Sequence, residues 1–381
     1  MSFAKDLRKT ISKYNSPTVA EGFNINDDWL SCGNFVMNRL LSGNFYQGFP
    51  YYKTIVIGGE SGSGKSLIAA TAAKHAQRDD NALVIWLDAE KASREDWLER
   101  IGVDTSPDAL IYAEVGTIED VKKFISDLVK SLKKVPEEER QKIFLVIDSY
   151  SVLLTSSQME HAESGVMKGD QGQQAKQLKD LIKTITHLIP RLPICVVGMV
   201  HSMASQDTYN PDEIQTGGRG LTYLASISLN FTKMKMRAEK VEDNVLTDEY
   251  DDNRKIVGIR CKASVYKSRF SKPNEQVEIQ IPWPHGIDPY SGLFDYFLVN
   301  GVITSPSKGY YAFTNNSGEE VKFRRKDFRE YADSLMHAVL LEEGKYIPES
   351  NSESYIRGVM NYNTSSTSTT DDSEEDDEQN T

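Results

Sequence analysis

The sequence predicts an α/β fold in which a mostly parallel, twisted sheet is flanked by helices, with small N-terminal and C-terminal appendages. Between residues 31 and 270, short apolar runs alternate with segments of helical periodicity, as in repeated strand–helix–strand units. Three of the runs, IVIGG, ALVIWLD and KIFLVID, show no polar alternation. Such runs are typical of strands that are buried on both faces of a parallel sheet.

The first run is followed by the loop GGESGSGKS, which has the spacing G-x-x-x-x-G-K-S and precedes a helical segment. In this context the backbone N–H groups of the loop and the helix N-terminus bind nucleotide phosphates. Lys65 is expected near the β and γ phosphates, and the Ser66 hydroxyl is expected to bind Mg²⁺. The residues predicted to contact the nucleotide are Gly59, Glu60, Ser61, Gly62, Ser63, Gly64, Lys65 and Ser66.

The other two runs end in carboxylates. Glu90 follows the second run, and we assign it to orient a water molecule on the γ phosphate. Asp148 ends the third run and is predicted to support Mg²⁺ and the nucleotide. An alternative is that Asp88 or Glu90 only caps the next helix or a turn. Together the three strand ends predict a hydrolytic ATPase site with ATP and Mg²⁺ as cofactors.

Composition agrees with a globular enzyme. The chain has 381 residues, of which 39% are hydrophobic and 26% charged. Its three cysteines lie far apart, without the spacing of a metal site or a disulfide framework. No apolar stretch reaches membrane-spanning length, and the N-terminus lacks a hydrophobic signal core. A cytoplasmic location is therefore expected.

The order of the motifs GGESGSGKS, LDAEKA, RIGVD and LVIDSYSVL resembles the RecA family of DNA strand-exchange ATPases. The segment GIDPYSGLFD, at 286–295, is similar to the phage UvsX-type branch of that family. This resemblance implies a RecA-like P-loop ATPase core and a DNA-dependent ATPase that forms a helical filament on single-stranded DNA. Such a protein catalyses homologous pairing and strand exchange with double-stranded DNA, in phage recombination, repair and recombination-dependent replication.

The resemblance also implies partners: other copies of the chain with ATP at their interfaces, a recombination mediator and a single-strand-binding protein. It would place a phage-encoded protein in the host cell cytoplasm. A RecA-core ATPase without strand exchange, either a ring helicase or a regulatory ATPase, remains the alternative.

Four regions are expected along the chain. Residues 1–30 are the candidate segment for contact with a neighbouring protomer, or else pack on their own core. Residues 31–270 form the ATPase core, and 271–345 form a small C-terminal region. Residues 346–381 form a flexible acidic tail, in which 364–381 hold seven acidic residues and no Lys or Arg. The tail is either a solubility segment or a competitor with DNA for basic surface.

Two polar segments, 160–175 and 202–220, are predicted to be long loops. In RecA-like proteins the loops at these places line the DNA path. Lys176 and Lys183 lie seven residues apart on a predicted helix between the loops, so they share one face. The resemblance makes them DNA contacts, whereas an ordinary solvated helix face is the alternative. The other candidate DNA contacts are Gly217, Gly218 and Arg219.

The resemblance assigns roles to three more polar residues. His201 ends the strand before the second loop, where RecA-like proteins have a residue that senses the γ phosphate. Bacterial RecA sequences have glutamine there. Lys267 and Arg269 match the basic pair that RecA-like filaments insert into the ATP site of the adjacent subunit. In that position they would stabilise charge on the γ phosphate.

Two aromatic residues match family positions at the adenine base. Trp97 corresponds to the aromatic that stacks on adenine, and Tyr290 to another that lies near the base. Arg94 departs from the acidic residue that bacterial proteins use near the adenine amino group. The basic run VKFRRKDFR, at 321–329, is either a secondary duplex-binding patch or a solvated face above two buried phenylalanines.

Overall fold

The computed structural model describes residues 28–165, 172–203, 214–215, 223–237, 256–283, 286–315, 318–345 and 347. Its strands are β1 (Trp29–Leu30), β2 (Phe49–Pro50), β3 (Lys53–Gly59), β4 (Leu83–Asp88), β5 (Leu110–Glu114), β6 (Ile143–Asp148), β7 (Ile194–Met203), β8 (Ile214–Gln215), β9 (Ile227–Arg237), β10 (Ile256–Ser268), β11 (Gln276–Pro282), β12 (Thr304–Ser307), β13 (Tyr310–Thr314) and β14 (Glu320–Phe323). Its α-helices are α1 (Phe35–Ser42), α2 (Lys65–Asp80), α3 (Glu95–Ile101), α4 (Ile118–Leu132), α5 (Ser156–Glu163), α6 (Gln173–Leu188), α7 (Leu293–Val299) and α8 (Ala332–Glu342). Short 3₁₀ segments cover Glu137–Glu139, Tyr150–Val152 and Arg325–Glu330.

A large sheet confirms the predicted α/β fold. Its strand order is β11-β10-β9-β3-β7-β6-β4-β5, and β8 pairs with β7 off this path. The six strands from β9 to β5 are parallel to one another, whereas β10 and β11 run antiparallel at one edge. Non-consecutive neighbours such as β3 and β7 require crossovers, and helices supply them as expected of a doubly wound fold.

Side chains of the sheet alternate between two helix-covered faces. Ile55 and Ile57 of β3 pack in one core cluster, to which α2 contributes its alanine-rich face. Val56 packs in the other, against the apolar sides of α4 and α6. All three side chains are fully buried, which is why the run has no polar alternation.

The ladder register brings the predicted site residues to one edge of the sheet. Asp88, the last residue of β4, is paired with Asp148, the last residue of β6. At the same edge Gly59 of β3 is paired with His201 of β7. Because these strands are parallel, the segment that follows each strand starts from this carboxyl edge, which is where ligands bind in open α/β sheets.

The C-terminal region is smaller than predicted. Strand β11 pairs with β10 over seven residue pairs, so the large sheet continues to Pro282 instead of ending at residue 270. Beyond it, strands β12 to β14 form a separate three-stranded sheet. This sheet, α7, α8 and part of α1 share an aromatic-rich core. The predicted boundary was wrong because the irregular segment after β10 is only a tight connection between paired strands.

The basic run at 321–329 belongs to this C-terminal unit. Phe323 and Phe328 are buried in its core, with 4% and 6% exposure. Arg325 forms an ion pair with Asp295 (2.9 Å), and Arg329 is near the Asp288 carboxylate (2.6 Å). The contacts favour a solvated face above buried phenylalanines over a duplex-binding patch.

The first predicted loop is shorter than 160–175. A capping box formed by Thr155 and Gln158 starts α5, which continues to Glu163, and α6 begins at Gln173. The Gly and Gln residues of segment 160–175 do not indicate a helix, so the sequence did not predict the end of α5 or the start of α6. The part at 166–171 lies outside the described residues.

In the second predicted loop, β7 extends to Met203 and pairs with the short strand β8 at 214–215. Gly217, Gly218 and Arg219 lie outside the described residues, as do residues 1–27 and 348–381, which include most of the N-terminal segment and the acidic tail. Within the ranges that are described, no helix is both long and apolar enough to cross a membrane.

Candidate active site

The glycine-rich loop connects β3 to α2 in a conformation that requires glycine. Gly64 precedes α2 with φ of +98°, in the left-handed region that side chains with a Cβ rarely adopt. A Cβ there would also lie 2.8 Å from Cδ1 of Ile281. The turn leads directly into the first turn of α2, whose N–H groups have no partners within the helix. This arrangement fits the phosphate-binding role that the sequence predicts for the loop.

Lys65 is folded against the loop. Its Nζ donates to the carbonyls of Gly59 and Glu60, each at 2.8 Å, and the residue is only 6% exposed. Burial lowers the pKa of its ammonium, and the carboxylates of Asp148 and Glu90 partly offset that effect. The loop carbonyls therefore hold the Lys65 side chain in place. Among the described residues it forms no direct salt bridge.

Ser66 and Asp148 meet across the site. The Ser66 hydroxyl donates to Oδ2 of Asp148 at 2.7 Å. Burial raises the pKa of the Asp148 carboxyl to about 6, with smaller contributions from the nearby carboxylates of Glu90 and Asp88. Two oxygen ligands in contact, one of them a carboxylate with no direct salt bridge among the described residues, fit a hard divalent ion such as Mg²⁺.

The two carboxylates after β4 differ in their contacts. Asp88 accepts from the backbone N–H groups of residues 91, 92 and 93 and from the Tyr112 hydroxyl. It therefore holds the turn after β4, as the capping alternative required. Glu90 instead accepts from the Ser149 hydroxyl at 2.8 Å. Its carboxylate points to the end of β6, beside Asp148, where the assigned water-orienting role requires it.

His201 lies against Glu90. The distance from its Nε2 to Oε1 of Glu90 is 3.0 Å, and an ionised carboxylate can only accept, so Nε2 is the donor. The backbone N–H of His201 donates to the Ser151 hydroxyl at 2.7 Å, which holds the strand end. The end of β7 is thus connected directly to the proposed water-orienting carboxylate.

A cleft of about 580 Å³ opens beside the loop. Trp97 lines it together with apolar side chains of β10 and β11, and packs edge-to-face on the buried Trp86. Basic side chains, including Lys74 and Arg78, also line the cleft, and its apolar side beside the glycine-rich loop suits a flat base. Arg94 precedes α3 and is paired with Asp96 at 2.9 Å, not with a group in the cleft.

Tyr290 is not part of this cleft. Its ring packs on Phe35 in the C-terminal core, and its hydroxyl donates to the Asp333 carboxylate at 3.1 Å. The neighbouring Pro289 lines the cleft instead. Within one chain the ring of Tyr290 is turned away from the cleft by packing in the C-terminal core, which the motif does not encode. A position of Tyr290 near the base stays a prediction.

Lys267 and Arg269 lie at the opposite end of the sheet. Strand β10 runs antiparallel to β9, and Lys267 is paired with Ser228 near the start of β9. The backbone N–H of Arg269 donates to Ser226, whose own N–H donates to Thr54 at the start of β3. Because β3 has seven residues, about 20 Å of strand separates this end from the glycine-rich loop. Within one chain, Lys267 and Arg269 therefore do not reach the site at the glycine-rich loop.

The Lys267 ammonium has backbone partners. It donates to the carbonyls of Tyr223 and Ala225, the latter at 2.7 Å. Burial and the charge of Arg269 lower its pKa. Arg269 itself is exposed.

Lys176 and Lys183 are both exposed on α6, whose N-terminal end starts from the carboxyl edge of the sheet. Between them Asp180 is paired with Lys122 of α4 at 2.5 Å, so the helix face is mixed in charge. The structure leaves their DNA role as a prediction.

Three residues that sequence reasoning missed contact the site: Ser149 through Glu90, Ser151 through His201, and Lys233 through the glycine-rich loop. The two serines lie one and three residues after Asp148, so their proximity to the site could have been inferred from the chain. Lys233 lies in an ordinary alternating strand, and no local signal points to it.

Comparison with known proteins defines the class of the chain. The model of the RecA N-terminal domain family matches residues 10–288, and the chain belongs to this family. The recombination and repair protein of Enterobacteria phage T4 is 25% identical over 329 residues, which cover 84% of this chain and 78% of that protein. Protein RecA of Amycolatopsis mediterranei is 25% identical over 290 residues, 75% of each chain. Protein RecA of Salinispora tropica is 27% identical over the same length and coverage.

The buried Asp148 carboxylate predicts a pH-dependent stability of the protein without nucleotide or divalent ions. Its folded pKa of about 6 lies above the ordinary value of 3.8, so its contribution is complete below about pH 4 and is lost as the pH rises through 6. We expect Asp148→Asn to raise the free energy of unfolding at pH 8, by up to about 3 kcal/mol, and to have little effect at pH 4. Urea denaturation at several pH values measures this difference.

The exposed Asp108 provides the control for that measurement. Asp108→Asn removes the same chemical group from a solvated position. The difference in free energy of unfolding between this variant and the wild type should therefore change little across the pH range. If the difference in free energy of unfolding between Asp148→Asn and the wild type is equally independent of pH, the buried-carboxylate explanation is contradicted.

Proposed function

We propose that this protein is an ATP-dependent homologous-recombination protein. It would form a helical filament on single-stranded DNA and catalyse homologous pairing and strand exchange, with DNA-dependent ATP hydrolysis. Membership of the RecA family supports this proposal. So does the phage T4 relative, whose name describes recombination and repair.

In the proposed hydrolysis, the residues at the carboxyl edge have separate tasks. The loop N–H groups and Lys65 would hold the phosphates, and Glu90 would orient and polarise the attacking water. Ser66 and Asp148 would hold Mg²⁺, which supplies charge neutralisation on the phosphate oxygens when bound. The contact between His201 and Glu90 would make the water-orienting carboxylate sensitive to the position of β7.

The position of Lys267 and Arg269 is the observation that carries the proposal of an assembly. These cations lie about 20 Å of strand away from the loop of their own chain, at the far end of the sheet. They can therefore stabilise a γ phosphate only in another copy. A head-to-tail contact that repeats in this way builds a ring or an open helix. The site is then complete only between protomers.

Contacts at the carboxyl end of β7 and just before the start of β9 support a connection between ATP and DNA. The first candidate DNA loop follows α5, and the second follows β7, within a few residues of His201, which contacts Glu90. The second loop returns to the sheet at Tyr223 and Ala225, whose carbonyls accept from Lys267. The cation proposed for the neighbouring site thus also holds the end of a DNA loop.

The assembly itself provides a direct test. Negative-stain microscopy with single-stranded DNA and a nonhydrolysable ATP analogue should show helical filaments, and the same mixture with homologous duplex should form joint molecules. Closed rings that unwind duplex would indicate a ring helicase. ATP hydrolysis that is not stimulated by single strands would indicate a regulatory ATPase.

Glu90→Gln should separate ATP binding from hydrolysis. The amide keeps the size of the side chain but cannot act as a base, so nucleotide binding and assembly on DNA should persist while kcat falls by about 10²-fold or more. Phosphate release and DNA-binding assays measure the two properties. Glu114→Gln is the matched control, since it removes a carboxylate from the end of β5 at the same edge. Near-wild-type turnover in Glu90→Gln would remove Glu90 from this role.

Mixing two inactive variants should test the shared site. Arg269→Ala protomers would have an intact loop, and Lys65→Ala protomers would have an intact basic pair. Each variant alone should hydrolyse ATP poorly, whereas mixtures should regain activity at interfaces that combine the two intact halves. If both variants fold and co-assemble but no ratio restores turnover, the assignment of the basic pair to the neighbouring site is wrong.

A further inference from the structure

Lys233 contacts the glycine-rich loop from a strand that lies outside it. Strand β9 pairs with β3 up to Phe231 and Gly59, and Lys233 is two residues further along, on the same face as Phe231. Its Nζ donates to the carbonyl of Ser61 at 2.5 Å and is 3.4 Å from the Glu60 carboxylate. The Lys233 side chain is 37% exposed, so these contacts form at the rim of the site.

The Ser61 carbonyl and the Gly62 N–H belong to one peptide group. Because that group is planar and trans, its carbonyl and its N–H point in opposite directions. Holding the carbonyl on the side of Lys233 therefore directs the N–H to the other side. In a loop of this type, backbone N–H groups that converge on one side bind the phosphates.

Gly62 makes this orientation easy to lose. Its φ is +71°, and, apart from its chain neighbours, the one described atom within 4 Å of the position a Cβ would occupy is Lys233 Nζ, at 3.7 Å. Glycine populates positive and negative φ about equally, so rotation of the Ser61–Gly62 peptide meets little local steric resistance. The loop sequence alone does not hold the peptide in one orientation, whereas an external cation bound to its carbonyl does.

We infer that Lys233 is a positioning residue for nucleotide binding, which holds the Ser61 carbonyl outside the loop so that the Gly62 N–H faces the phosphates. This inference rests on the proposed nucleotide-binding function of the loop. The role differs from that of Lys65, which lies within the loop and is expected to contact the phosphates. Lys233 also neutralises Glu60, whose charge would otherwise repel them.

Equilibrium binding of fluorescent ADP and ATP analogues, with Mg²⁺ and without DNA, tests the inference. Lys233→Met should weaken binding of both analogues by about tenfold, the effect of losing roughly one charge-assisted hydrogen bond. In the ATPase assay KM should rise while kcat at saturating ATP stays within about twofold of the wild type. Lys233→Arg, which can still donate to the carbonyl, should retain most of the affinity.

Two further variants separate positioning from simple charge. Lys235→Met removes an equal charge two residues along β9 and should bind as the wild type does. Glu60→Gln removes the repelling carboxylate, and it should restore only part of the binding lost in Lys233→Met, because the Ser61 carbonyl would still lack its donor. Full restoration by Glu60→Gln would mean that Lys233 acts only by neutralising Glu60, and would overturn the inference.

Other outcomes overturn it in distinguishable ways. A loss confined to the ATP analogue would identify Lys233 as a γ-phosphate contact, and a lower Tm with unchanged affinity would identify a structural role only. Unchanged affinity and unchanged Tm in Lys233→Met would remove any role at this site. If the wild type itself binds neither analogue, the proposed function of the loop fails, and the inference falls with it.

Discussion

Parallel pairing of β3, β7, β6 and β4 is the constraint on which the rest of the structure depends. It brings the ends of four strands to one edge, where Asp88 lies opposite Asp148 and Gly59 opposite His201. From this edge the 2.7 Å contact of Ser66 with Asp148 and the 3.0 Å contact of His201 with Glu90 follow. A shift of one residue in either ladder would turn these side chains to the opposite face of the sheet.

The same sheet separates two halves of the proposed chemistry. The glycine-rich loop lies at one end of β3, and the basic pair of β10 lies beyond the other end. This distance gives a physical reason why a chain with this fold would work as an assembly: each copy has cations at one end of the sheet and the glycine-rich loop at the other. In such an assembly, the contacts of Lys267 with Tyr223 and Ala225 would connect the end of one candidate DNA loop to the interface.

The structure also distinguishes residues that look alike in the sequence. Asp88 and Glu90 are two positions apart, yet Asp88 is buried under backbone N–H donors while Glu90 faces the ends of β6 and β7. Trp97 lines the cleft as expected, whereas Tyr290 is held in the C-terminal core by Phe35 and Asp333. A motif defines the position of a residue in the chain, whereas tertiary packing determines the direction in which its side chain points.

The sequence by itself determined the α/β class, the strands of the core, the glycine-rich loop and the carboxylates at the ends of β4 and β6. Those features are local: an apolar run, a glycine spacing and the residue after a strand carry their own physical meaning. Only the tertiary structure decided that β11 completes the sheet, that Tyr290 leaves the cleft and that Lys233 reaches Ser61. These outcomes depend on contacts between segments far apart in the chain, which no short pattern encodes.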